Sequence, residues 1–139
     1  MTDLLDQALI GAGLDLLTDA GLTVYDGAVP NPTPDVRDEP YVLVYTTIDR
    51  PGDDPSKALD GRSGVWLARW ICHCVGANQI AARAMAQQVR TALLDQRVSV
   101  PGLATGLIEM EQANPPLRDE STGPVVIDAV VVFRLFATS

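Results

Sequence analysis

The stretch GVWLARWICHCVG, Gly64 to Gly76, runs directly into ANQIAARAMAQQVRTALLDQ, Ala77 to Gln96, and together these residues decide the fold class. In the first part alternate residues separate by character. Trp66, Ala68, Trp70, Cys72 and Cys74 form one continuous apolar face, because successive side chains of an extended chain point to opposite sides. Val65, Leu67, Arg69, Ile71, His73 and Val75 form the other, where apolar and charged groups mix. The first face is expected on the core, and the second half exposed or covered by another subunit. Gly76 breaks the strand, and Asn78 stands where a helix N-cap is needed, its side-chain oxygen available to a free N–H of the first turn. The helix that follows puts Ala81, Met85, Val89, Ala92 and Leu93 on one side and Gln79, Arg83, Gln87 and Arg90 on the other. Its alanines let a helix backbone approach a sheet closely.

Working outward, Asp3 to Ala20 has the period of an amphipathic helix, with Leu5, Leu9, Ala12 and Leu16 on one face and Ile10 and Leu17 widening it. Thr2 is its candidate N-cap and Gly21 its candidate C′ residue. Gly11 and Gly13 weaken its middle by up to ~1 kcal/mol each relative to alanine, so this helix needs tertiary support. Leu22 to Tyr25 reads as a short strand, and the four prolines of DGAVPNPTPDVRDEP, Asp26 to Pro40, make the next segment an ordered surface connection. YVLVYTTI, Tyr41 to Ile48, is a second strand. Beyond the second helix, RVSVPGLATG reads as a loop, Leu107 to Glu111 as a modest strand, and QANPPLRDESTGP as a polar connection. VVIDAVVVFRLF, Val125 to Phe136, is the last strand. Val125, Ile127, Ala129, Val131, Phe133 and Leu135 form its apolar face, and Asp128 and Arg134 mark the opposite one. The order α-β-β-β-α-β-β predicts an α+β fold, a mostly antiparallel mixed sheet with two helices on one face. At 139 residues, a single domain is expected.

Composition excludes several classes. A net charge of −8 argues against binding to phosphates or to an anionic membrane surface. No apolar run approaches the ~20 residues that span a bilayer. The N-terminal MTDLLDQALI is acidic and lacks a signal-peptide pattern, so the protein is expected to be made and kept in a cytoplasm. Cys72 and Cys74 lie on one strand face and are expected as buried free thiols.

The chain carries no recognisable catalytic set. His73, the only histidine, points away from Cys72 and Cys74, so the Cys-His-Cys triplet cannot converge on one ion and no metal site is expected. No P-loop, G-x-G-x-x-G or G-x-S-x-G pattern is present at a strand–helix junction. Neither an enzyme nor a cofactor is expected. The longest polar connection is DRPGDDPSKALDGRS, Asp49 to Ser63, with Arg50, Lys57 and Arg62 set among Asp49, Asp53, Asp54 and Asp60. It exceeds the needs of a hairpin. Two readings stand for it: a solvated mixed-charge loop, or an arm that contacts a neighbouring subunit.

Taken together, the N-terminal helix, VYDGAVP at Val24 to Pro30, PYVLVY at Pro40 to Tyr45, the long strand, the helix from Ala82 to Leu93 with Val89, Arg90 and Ala92, and the final apolar strand resemble the tail-terminator and tail-completion proteins of long-tailed bacteriophages. The resemblance covers nearly the whole chain, and (V/I)YDGxVP followed by PYV is its most specific piece. The proline-rich insert Asn31 to Glu39 and the Cys-His-Cys triplet depart from it. It implies a structural protein of the virion tail–neck junction, assembled in the host cytoplasm. It further implies a homo-hexameric ring that caps the tail tube protein and meets the head connector, with DNA only passing through. A head-closure protein of the same assembly is the alternative within that class. A small cytoplasmic ligand-binding α+β domain is the alternative outside it.

Overall fold

The computed structural model describes residues 2–49, 65–120 and 125–138. Among these, the elements are α1 (Thr2–Asp19), β1 (Val24–Asp26), β2 (Tyr41–Asp49), β3 (Val65–Gly76), α2 (Gln79–Leu93), β4 (Ala104–Thr105), β5 (Glu109–Ala113), β6 (Leu117–Asp119) and β7 (Val126–Thr138). The strands form one sheet in the order β1-β2-β3-β7, with β4, β5 and β6 all pairing along the far side of β7. Only β1 runs parallel to its neighbour; β2-β3-β7 is an antiparallel meander interrupted by α2. This is the expected α+β class, with both helices on one sheet face. The sequence order gains two short strands, β4 and β6, inside segments read as loops.

The apolar face of β3 is buried as its period requires. Trp66, Ala68, Trp70, Cys72 and Cys74 join Val42 and Val44 of β2 and Ala129, Val131, Phe133, Leu135 and Ala137 of β7 in one cluster under the helices. Val125 does not belong to that face: it precedes β7 and is exposed. The α2 line on this core is Ala82, Met85, Val89 and Leu93. Asn78 caps α2 with Oδ1 accepting the Ala81 N–H at 2.8 Å. At the helix end, Asp95 takes a left-handed φ of 61°, its N–H donates to the Ile108 carbonyl, and the Ile108 N–H returns a bond to Gln96. That exchange draws Val98 and Val100 into the core, which is why RVSVPGLATG is not a surface loop throughout.

The buried line of α1 is Leu9, Gly13 and Leu17. Leu5, Ala12 and Leu16 pack only partly, so the face is rotated from the one that leucine spacing predicts. The cause is Trp70, whose indole lies against Gly13 and whose Nε1–H donates to the Ile10 carbonyl at 3.1 Å. The helix ends in a Schellman pair, Gly21 N–H to Thr18 O and Leu22 N–H to Leu17 O, with Gly21 at φ 84°.

Gly76 stays within β3 and is needed for a close approach. A Cβ there would lie 2.7 Å from both Ala81 Cβ and the Ala82 nitrogen, in the first turn of α2. Gly76→Ala is therefore expected to cost about 1–3 kcal/mol, the usual range for overpacking. Urea denaturation checks it: an unchanged midpoint would mean that α2 can back away from the sheet freely.

Candidate interface on the open sheet face

The sheet face opposite the helices has no described layer over most of its area. At one end it is closed by the connection between β1 and β2. Val36 packs with Tyr41, Val75 and Val126, supported by Tyr25, Val29 and Leu43, so the four-proline segment is ordered as expected. Elsewhere the face presents half-buried Leu67, Ile71, Val130 and Val132, with Tyr45, Val65 and Phe136 each more than two-fifths exposed. This is the mixed second face of β3 extended across its neighbours.

A charge network crosses the face. Thr47, Arg69, Arg134 and Glu109 lie in one row through β2, β3, β7 and β5. Two arginines directly opposite would repel. Carboxylates on the outer strands offset this. Arg69 Nη1 is 2.8 Å from Asp49 Oδ2, and its Nε is 2.9 Å from Glu111 Oε2. Arg134 reaches Glu109 at 3.3 Å and Glu111 at 3.7 Å. Glu111 thus joins both guanidinium groups. Each such exposed pair contributes about 0.2–1 kcal/mol alone, but together they hold β5, all of whose residues are exposed, to the sheet.

Further along, His73 Nδ1–H donates to Asp128 Oδ2 at 2.8 Å, and its ring meets that of Tyr45 edge-on at 5.5 Å. The hydrogen bond to Asp128 raises the His73 pKa above its ordinary value, against an opposing effect of burial. A raised folded-state pKa stabilises the protein fully below the unfolded value of about 6.5, and that contribution is lost as pH rises through the folded value. Asp128→Asn is expected to lower the His73 pKa and to flatten the gain in stability on acidification through this window. Imidazole titration by NMR, with denaturation at matched pH values, measures both. An unmoved His73 pKa would show that the bond does not hold the proton.

On the core side, Cys72 and Cys74 are free and buried. Burial pushes the Cys72 thiol up to about 12 and raises Cys74 as well. Neither is a nucleophile at neutral pH. Among the described residues no group of histidine, cysteine and carboxylate side chains is placed to hold a metal ion, and no helix is long and apolar enough to cross a membrane.

Of the interface residues read from sequence, Asp49 ends β2 and is bound into the Arg69 network. Arg50, Asp53, Asp54, Lys57, Asp60 and Arg62 lie outside the described residues. Glu109 and Glu111 were not singled out by sequence as site residues. Their strand was legible, but its pairing with β7, which brings them to the arginines, was not.

No protein-family model matches the chain, and no curated protein matches it in sequence. Among solved structures, it is similar to a chain described as "Virion of native gene transfer agent (GTA) particle". The TM-score is 0.69 at 18% identity, covering 97% of this chain and 98% of that one. At that identity the likeness shows a shared fold, held from end to end.

Proposed function

We propose that this chain is a structural virion protein of a phage-like particle, one domain over residues 1–139 that forms a hexameric ring, caps the tail tube and joins it to the head connector. The observation that carries the reading is the end-to-end fold likeness to a virion chain. The VYDGAVP and PYVLVY segments support the narrower tail-terminator role by resemblance. A half-apolar sheet face with its charges already paired suits subunit contact, since such a face can be covered without stranding an ion. The net charge of −8 suits a channel through which DNA passes without adhering.

Light scattering of the purified protein, alone and with the tube protein encoded by the same genome, tests this. A mass six times that of the chain in either condition, with sixfold rings in negative-stain images, is expected. A monomer in both conditions would overturn the ring. Antibody labelling of particles separates the alternatives, since a head-closure protein would be found on the connector side of the junction. In the same reading the connection from Asp49 to Ser63 acts between subunits. Replacing Gly52 to Asp60 by a short Gly/Ser turn is expected to leave the subunit folded but to abolish ring formation or yield tails of irregular length. Uniform infectious particles from that variant would make the segment a plain connection.

A further inference from the structure

The outer surface of the helix layer carries a projection and a recess that do not meet within one chain. Ile80, in the first turn of α2, lies on the side of the helix opposite the buried line Ala82, Met85, Val89 and Leu93, and so points away from the sheet. It is 72% exposed, the most of any large apolar side chain among the described residues. A lone exposed isoleucine is ordinary, but this one has a counterpart. Between the end of α1 and the C-terminal half of α2 lies a mostly apolar groove of about 350 Å³, lined by Ala20, Leu22, Gln87, Gln88, Thr91 and Ala92. All six lining residues are described, and Leu22 and Ala92 are continuous with the core beneath. The α1–β1 connection that forms one wall joins the sheet at Val42, the end of β2 opposite Asp49. About 12 Å of rigid helix separates Ile80 from Gln88, so the isoleucine cannot reach the groove of its own chain.

Charge follows the same division. Arg83, one turn beyond Ile80, donates from Nε to the Gln79 carbonyl of its own helix at 3.4 Å and meets no carboxylate among the described residues. Asp19, beside Ala20 of the groove, ends α1, whose last turn holds no basic residue. A carboxylate at a helix C-terminus stands against the helix dipole, and a cation brought from outside would offset that. Resting on the ring reading above, we propose that Ile80 of one copy seats in the α1–α2 groove of the next copy, with Arg83 set against Asp19. Projection and recess occupy different places on the subunit, so the contact is heterologous, the kind that repeats head to tail and can close a ring.

Ile80→Asp tests the contact without risk to the fold, because an acidic residue in the first turn of a helix is favourable and α2 has none there. Its urea midpoint should be unchanged or higher, while association should weaken about tenfold or more per contact, the worth of one buried isoleucine. Arg83→Asp and Asp19→Arg should each weaken association about threefold, and the two together should restore it. Gentle oxidation of a mixture of Ile80→Cys and Gln88→Cys proteins is expected to give a linked pair that neither variant gives alone. Cys72 and Cys74 are buried and do not compete. A chain with both new cysteines should give a ladder of linked species up to six chains. Rings formed by the Ile80→Asp protein as readily as by wild type would remove this contact and leave the ring. Linked pairs in either single variant alone, or a double variant that stops at two chains, would mean a twofold contact and overturn the head-to-tail arrangement. A wild-type protein that never assembles, with a mixture that never links, would remove the contact and the ring together.

Discussion

Trp70→Ala is expected to destabilise the protein by about 3–5 kcal/mol, the range for deleting a fully buried large aromatic side chain. Trp70 has no exposed surface and stands at the middle of the central strand, between Thr46 of β2 and Phe133 of β7. Three losses coincide in the variant. The indole leaves a cavity under both helices. Its hydrogen bond to the Ile10 carbonyl is gone, which takes a second partner from an oxygen inside α1. The contact that fixes the rotation of α1 disappears with it. The last loss separates this site from an ordinary core truncation: the variant should lose protection in α1 before the sheet opens. Hydrogen exchange with a urea melt measures both quantities. A midpoint shift worth less than ~1 kcal/mol would mean that α1 does not depend on the indole.

The central unit was legible in sequence because its signals are local. Period 2 in Trp66 to Cys74 and period 3.6 in Ala82 to Leu93 each identify a face without knowledge of the partner. The caps Asn78 and Gly21 are equally local, and both occur as expected. What was not legible depends on pairing between distant segments. β6 has three residues and exists because β7 offers it an edge. The bonds between Ile108 and the end of α2 carry Val98 and Val100 inward, and nothing in RVSVPG announces that. The candidate interface divides the same way. Arg69, His73, Asp128 and Arg134 were assigned by alternation to the face opposite the core. Their partners Glu109 and Glu111 depend on a bulged register that no sequence period encodes.

The same distinction decides the second large effect, which concerns two glycines of one helix. By propensity alone, alanine at either Gly11 or Gly13 would stabilise α1 by up to ~1 kcal/mol. At Gly11 a Cβ meets nothing within 4 Å, so Gly11→Ala is expected to realise that gain. At Gly13 a Cβ would lie 2.3 Å from Trp70 Cε2 and 2.5 Å from its Cζ2 and Nε1. The indole cannot yield easily, being held by the bond to Ile10 and packed on every side. Gly13→Ala should therefore reverse sign and cost about 1–3 kcal/mol net. A phenylalanine ring lacks Cζ2 and the Nε1–H bond that anchors the indole, so in a Trp70→Phe background part of this penalty should vanish. A double-mutant cycle then gives the coupling directly. Equal effects of alanine at Gly11 and Gly13 would mean that α1 does not rest on Trp70 at Gly13. A Gly13→Ala penalty that survives Trp70→Phe unchanged would place the obstruction elsewhere in the core.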